Sequence, residues 1–319
     1  MKRIFILLLV SLLIAGCTVP SDKTEQTKEY MGTFVTITVY GEEEAKANEA
    51  INKAYREIER IEGLLSNYKN DSEIYLLNSD RVINDASNEL VYIISKSLKY
   101  GDLSDGAFDI TVQPILDLYA TSFEELKRPP TDDEIKETKK LVGYEKIYLK
   151  NKQVELKENM KITLGGIAKG YIIDKAIDIL SKEGISNALV NAGGDVRAIG
   201  SKGNDNWKIA LQNPRDEKDF ITTISVNDTA VCTSGDYERY FDDDKKFHHI
   251  VDPRTGHSAT ELISVTIISK KAIDCDALAT SVFVLGKTEG LELIQRFKDV
   301  EGLIITKDKE IVKSRGFGY

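Results

Sequence analysis

Four short stretches of this sequence concentrate residue types that can do chemistry. In Asp274-Cys275-Asp276-Ala277-Leu278-Ala279-Thr280-Ser281, a predicted helix places Asp276 and Thr280 one turn apart on one face. A carboxylate and a hydroxyl are hard oxygen donors, better suited to Mg²⁺ than to a soft metal. The following positions, Val282, Phe283, Val284 and Leu285, are apolar, so the pair would sit in a dry wall. Asp274 can equally be read as the N-cap of that helix. The second stretch, Leu164-Gly165-Gly166-Ile167-Ala168-Lys169-Gly170-Tyr171, leads into another predicted helix. Glycines before a helix leave its first amides open, which suits a phosphate, and Lys169 adds a mobile charge. The same residues also fit a plain tight turn with a solvated lysine. They lack the GK[ST] ending of a P-loop.

The third stretch is Asn191-Ala192-Gly193-Gly194-Asp195-Val196. Glycines directly after a strand allow close approach of a ligand or of another backbone. The spacing is not GxGxxG, and no helix follows. Asp195 is either a turn residue or a ligand contact. The fourth is His249-Ile250-Val251-Asp252-Pro253-Arg254-Thr255-Gly256. The only three histidines of the chain, at 248, 249 and 257, fall in or beside it. Histidine can exchange protons near neutral pH, although adjacent histidines also occur as a simple surface pair. No further ligands stand at zinc spacing.

These residues need elements to hold them. Thr33–Tyr40 is β-branched and aromatic and reads as a strand. Ala47, Ala50, Ile51, Ala54, Ile58, Ile61 and Leu65 recur at helical spacing and predict a helix over 42–65. A second helix is predicted over 88–100. Thr131 and Glu134 have capping-box spacing. Residues 106–118 read as irregular. A hairpin is predicted around Lys150-Asn151-Lys152, a helix over 166–180, and strands at 188–190, 208–212, 221–226, 230–233 and 263–268. Helices follow at 274–285 and 288–297, then a closing hairpin from strands at 302–306 and 310–313. Interleaved strands and helices without a fixed repeat define an α+β class, one large unit over 30–319.

The chain has 319 residues, 41% hydrophobic and 30% charged, which argues against disorder. A formal charge of −9 makes a nucleic-acid partner a poor fit. Residues 1–16 have a basic start, Lys2-Arg3, and an apolar run too short to span a bilayer, as in a signal peptide. Leu13-Ile14-Ala15-Gly16-Cys17 resembles a lipoprotein lipobox, in which Cys17 would be acylated. The alternative is an ordinary cleaved signal. Residues 17–29 then read as a flexible tether, with the body lipid-anchored to the membrane on its extracytoplasmic side. Cleavage before Cys17 removes two of the 43 basic residues and no acid, so −9 becomes −11. Cys232 and Cys275 either pair in an oxidising exterior or remain buried thiols.

Taken in order, several stretches resemble the ApbE-type FAD:protein FMN transferases. They are Met31-Gly32-Thr33, Leu65-Ser66-Asn67-Tyr68 with Ser72-Glu73-Ile74, Gly106-Ala107-Phe108-Asp109, Leu164–Tyr171, Asn191–Asp195, Thr233-Ser234-Gly235-Asp236-Tyr237, His249–Gly256 and Asp276–Ser281. The resemblance spans nearly the whole chain after Cys17. It implies a T-shaped α+β fold and a Mg²⁺-dependent reaction. FAD is split at its pyrophosphate, FMN is joined to a threonine or serine hydroxyl of an exported target protein, and AMP leaves.

By the same resemblance, Asp276, Thr280 and the carbonyl of Gly166 match metal-ligating positions. Met31, Tyr68, Ala107, Phe108, Asp109, Thr163, Lys169 and His249 match positions that contact FAD. Thr163 departs from the family, which often has an aspartate there. His249 and Asp276 are the expected catalytic residues, His249 assisting proton transfer or orienting the phosphate. A pyrophosphate would be repelled by so acidic a chain, and a bound cation would remove the difficulty. An FAD pyrophosphatase or a non-catalytic flavin-binding lipoprotein are the rival readings.

Overall fold

The computed structural model describes residues 23–242 and 246–317. The expected signal peptide, residues 1–16, and Cys17 lie outside them. The described chain opens with a hairpin, β1 (Lys23–Tyr30) and β2 (Thr33–Tyr40), followed by α1 (Glu44–Leu65) and α2 (Glu73–Asp80). Next come β3 (Val82–Ile83), α3 (Asn88–Leu103), a 3-10 turn (Ile110–Val112), α4 (Gln113–Glu124) and α5 (Asp132–Lys139). A short hairpin, β4 (Tyr148–Lys150) and β5 (Gln153–Glu155), precedes α6 (Ala168–Lys182). Strands β6 (Ala188–Ala192), β7 (Asp195–Ile199), β8 (Trp207–Asn213), β9 (Asp216–Val226), β10 (Ala230–Gly235) and β11 (Leu262–Ser269) follow. The chain continues through α7 (Ala272–Gln295), β12 (Glu301–Thr306) and β13 (Ile311–Lys313).

The main sheet has eight strands in the order β1-β2-β6-β7-β10-β11-β12-β13, and its neighbours are antiparallel. Strand alternation decides its two faces. Val35, Ile37 and Val39 of β2 point into a core shared with α1, α6 and α7. The apolar stripe of α1 meets them there, and its residues expected from periodicity are buried. On the other face the β8–β9 hairpin packs Trp207, Leu211, Ile224 and Val226 against Val196, Ala198, Val231 and Ile305. Strand β11 is sandwiched between both cores, which explains why it is buried along nearly its whole length. The result is an α+β fold, as its sequence pattern predicts.

Three local expectations change. The tether expected over 17–29 gives way at Lys23 to β1, which pairs residue for residue with β2. Its sequence, KTEQTKEY, is polar because it is an edge strand with little burial. Residues 106–118, expected as irregular, include the 3-10 turn and the start of α4, where Pro114 occupies the first turn. The two helices expected over 274–297 form one span broken at Gly286, whose φ is 80°. Glu261 serves the restart, its Oε1 accepting from Lys287 N at 2.9 Å. A side chain at Gly286 would collide with that carboxylate.

Candidate active site

The site is built where α6 crosses the start of α7. Gly170 makes the crossing possible, since a Cβ there would lie 2.1 Å from the Ala272 carbonyl oxygen. The first amides of a helix have no partner within it, and here each helix supplies a carboxylate to the other. Asp174 of α6 accepts from Ala272 N at 3.0 Å and from Ile273 N at 3.1 Å. Asp276 of α7 accepts from Gly170 N at 3.0 Å through Oδ2. Arg197 of β7 completes the crossing with a 2.6 Å ion pair to Asp174.

One turn beyond Asp276, Thr280 Oγ1 lies 3.3 Å from Ser234 Oγ at the end of β10. It faces Gly166 so closely that a Cβ on that glycine would be 3.0 Å from Thr280 Oγ1 and 3.2 Å from the Phe108 ring. Gly166 therefore leaves open a small cradle between a hydroxyl and an aromatic edge. Lys169 reaches Asp195 Oδ2 at 2.7 Å, while Asp195 Oδ1 accepts from Thr233 N at 3.0 Å. Asp195 follows a two-residue turn, Gly193-Gly194, with φ of 58° and 96°. Glycine suits both positions of such a hairpin turn.

The electrostatics follow from burial. Burial pushes the Asp276 carboxyl up, and nearby Asp195 adds to this, to about 7, while Lys169 and the Gly170 amide pull it down. Burial opposes the charge on Lys169, yet Asp195 and Asp276 outweigh it and hold the ammonium above the ordinary lysine range. Two buried carboxylates around one lysine leave the centre short of positive charge. Asp195 Oδ2 also lacks a well-directed hydrogen bond. Asp276 and Thr280, one turn apart on α7 with Thr280 facing Gly166, are hard oxygen donors whose chemistry fits a cation such as Mg²⁺.

The His249 imidazole lies within electrostatic reach of Lys169. Its Nδ1 is 3.3 Å from the Arg239 carbonyl, an acceptor, so Nδ1 carries the proton and Nε2 the lone pair. Burial pulls its pKa down to about 4, the Arg239 carbonyl opposes this, and the charges of Arg239 and Lys169 add to the fall. His248 has a different job. It is buried, with Nε2 donating to the Ala259 carbonyl at 2.7 Å and Nδ1 accepting from Ile250 N at 3.3 Å. Its ring stands edge-on to Phe283. His257 is exposed beside Asp132.

The remaining expected residues divide by exposure. Phe108 and Ala107 are buried, Phe108 edge-on to Tyr100. The Asp109 carboxylate caps the 3-10 turn, accepting from Thr111 N at 2.7 Å and from Tyr144 N at 2.9 Å. Thr163 Oγ1 accepts from Gly165 N at 3.3 Å, bracing the glycine turn. Met31 sits in the β1–β2 turn at a φ of 53°. Tyr68 is 88% exposed. Asp274 is not the N-cap of α7. It lies inside the helix and accepts from Lys96 Nζ and Tyr100 OH, each at 2.7 Å. Cys232 and Cys275 are free and buried. Asp174, Ser234 and Arg239 are additions to the expected set. The capping role of Asp174 was hidden because its partners lie about a hundred residues further on.

A glycine turn, a lysine and a cradle of hard oxygens at joined helix starts describe a phosphate-handling enzyme. The ApbE family profile matches residues 31–304. A FAD:protein FMN transferase of Klebsiella pneumoniae is 31% identical over 292 residues, covering 89% of both chains. One from Treponema pallidum is 31% identical, covering 90% of this chain and 85% of its own. The ApbE protein of Thermotoga maritima superposes with a TM-score of 0.84 at 34% identity, covering 92% of this chain and 98% of its own. The flavin transferase ApbE of Vibrio cholerae gives 0.82 at 27% identity, covering 93% and 99%. The chain belongs to the ApbE family.

Proposed function

We propose that this protein is an FAD:protein FMN transferase that uses Mg²⁺ to move FMN from FAD onto a threonine or serine hydroxyl of an exported protein. The observation that carries this is the Thr280–Gly166 cradle beside Asp276 and Lys169 at the joined starts of α6 and α7. Asp276, Thr280 and the Gly166 carbonyl would hold the Mg²⁺. When bound, the ion supplies positive charge to the phosphate oxygens and stabilises an in-line displacement.

The chain's own residues do the rest. Lys169, kept charged by its acidic neighbours, neutralises the pyrophosphate. The acceptor hydroxyl oxygen forms a bond to the FMN phosphorus, and the bridging oxygen leaves with AMP. His249 Nε2, free and unprotonated near neutral pH, takes the hydroxyl proton. Exposed Tyr68 offers a ring to the flavin or adenine. Met31 and the Ala107–Asp109 backbone border the same ligand. Cys17 carries the lipid, anchoring the protein to the membrane on its extracytoplasmic side. Among the described residues no helix is long and apolar enough to cross a membrane.

The test is covalent transfer. The protein from residue 18 onward is incubated with FAD, Mg²⁺ and a candidate acceptor domain, and flavin fluorescence is read on a denaturing gel. A labelled acceptor with AMP released supports the proposal. Free FMN without labelling would make the protein a pyrophosphatase, and bound FAD without turnover a flavin binder.

A further inference from the structure

Glu62 lies in the last turn of α1, and its two carboxylate oxygens hold two different loops. Oε1 accepts from Met31 N at 2.5 Å, and Oε2 accepts from Lys69 Nζ at 2.7 Å. Met31 occupies the left-handed region, a conformation that a side chain other than glycine adopts only under constraint. The two-residue turn between Tyr30 and Thr33 requires it, with Gly32 also at a positive φ of 67°, and the Glu62 bond to the Met31 amide ties that turn to α1. The same turn leads into Thr33, which touches Gly193. Gly193 in turn opens the hairpin that delivers Asp195 to Lys169.

Lys69 belongs to the loop between α1 and α2. Asn67 of that loop reaches Gln113 at 3.4 Å, at the start of α4, just after the turn that Asp109 caps. Other bonds of this loop, Tyr68 N to Ser66 Oγ and Ser72 Oγ to the Ser66 carbonyl, are internal to it. Asn67 Oδ1 is buried without a hydrogen-bond partner, and Tyr68 stands out in solvent. The loop thus holds polar and aromatic groups that its own packing does not use.

We infer that Glu62 is a positioning residue for flavin binding. It fixes the Met31 turn and the Asn67–Tyr68 loop at one spacing, so that both can grip the same ligand. The Met31 turn approaches the site through Gly193 and Asp195, and the tyrosine loop through Gln113 and the Phe108 segment. The inference rests on the flavin reading of the site and adds a residue that does not itself touch FAD.

The experiment measures FAD dissociation constants and steady-state KM and kcat for the full-length chain in detergent, with Mg²⁺ present. Charge-assisted hydrogen bonds of this kind translate to about a tenfold rise in KM and Kd for FAD in Glu62→Ala, with kcat within about twofold. Glu62→Gln keeps an oxygen for the Met31 amide but loses the ion pair, so it should recover part of the affinity. Lys69→Met removes only the exposed arm, with an expected rise of about threefold. Unchanged FAD affinity in these variants, with only their melting temperatures lowered, would overturn the positioning role, as would a fall in kcat alone. Should Glu62→Ala not fold, the glutamine and Lys69 variants decide by the same criterion. A wild-type protein that fails to bind FAD would overturn the flavin reading and this inference together. Wild-type binding with indifferent variants would overturn the inference only.

Discussion

Asp174 and Asp276 cap each other's helices: Asp174 on α6 receives the first amides of α7, and Asp276 on α7 receives the Gly170 amide of α6. The exchange locks the crossing at which Lys169 and the Thr280 cradle meet. It also gives Asp276 a structural duty beside its proposed chemical one, because only Oδ2 is turned to Gly170.

Removing Asp174 should loosen the crossing. Asp174→Ala strips both amides of their acceptor and leaves Arg197 buried without its partner. Breaking a buried ion pair from one side typically costs about 3 kcal/mol or more. Urea denaturation should show a loss of that order, whereas a loss below about 1 kcal/mol would mean that water replaces the caps.

Metal binding should depend on pH through Asp276. Its folded pKa is raised from an ordinary 3.8 to about 7. In the metal-free protein, its contribution to stability is therefore full below pH 3.8 and is lost as pH rises through about 7. Mg²⁺ needs the deprotonated form, so its affinity should fall about tenfold per pH unit below 7. Calorimetric titrations at pH 6 and pH 8 check this. Asp276→Ala should abolish both the pH dependence and Mg²⁺-supported transfer, a drop of at least ~100-fold.

Filling the cradle is a gentler test than deleting a ligand. Gly166→Ala would set a methyl 3.0 Å from Thr280 Oγ1 and 3.2 Å from Phe108, where side chains rather than backbone must give way. The fold should survive, while half-saturation by Mg²⁺ rises about tenfold or more. Wild-type Mg²⁺ dependence in this variant would place the ion elsewhere.

His249 should titrate far below a free imidazole. With a folded pKa near 4 and an ordinary value of 6.5, the neutral ring contributes stability that is lost as pH falls from 6.5 toward 4. An NMR titration of the ring proton should show a midpoint well under 6.5. His249→Ala should slow transfer at least ~100-fold, with FAD still bound. An unchanged rate would assign the proton to another acceptor.

Much of the frame was legible because periodicity reports burial. The stripe of α1 and the alternation of β2 are local patterns, each written within one element. Strand β1 escaped for the opposite reason. An edge strand needs no apolar face, and its partner supplies the hydrogen bonds. Strand β7 escaped because Asp195 follows two glycines and reads as turn when it in fact starts the strand. At the site, residue types were readable but partnerships were not. Asp276 was expected at the centre, yet its bond to Gly170 joins positions 106 residues apart. Asp109 was expected as a ligand contact, yet its carboxylate is taken up by Thr111 and Tyr144. Only the folded chain decides which polar groups remain available.

The early start of β1 has a mechanical meaning. Six residue steps separate Cys17 from Lys23, at most about 20 Å of extended chain. With Cys17 acylated as proposed, the sheet would hang from the bilayer on a short leash, with β1 zipped onto β2 over its whole length as the point of attachment. A molecule so anchored would not search the surrounding fluid. It would patrol a thin layer beside the lipid, and encounters with its protein substrates would become a matter of drift in two dimensions. Acceptors that are themselves held at that surface would meet it far more often than those released from it.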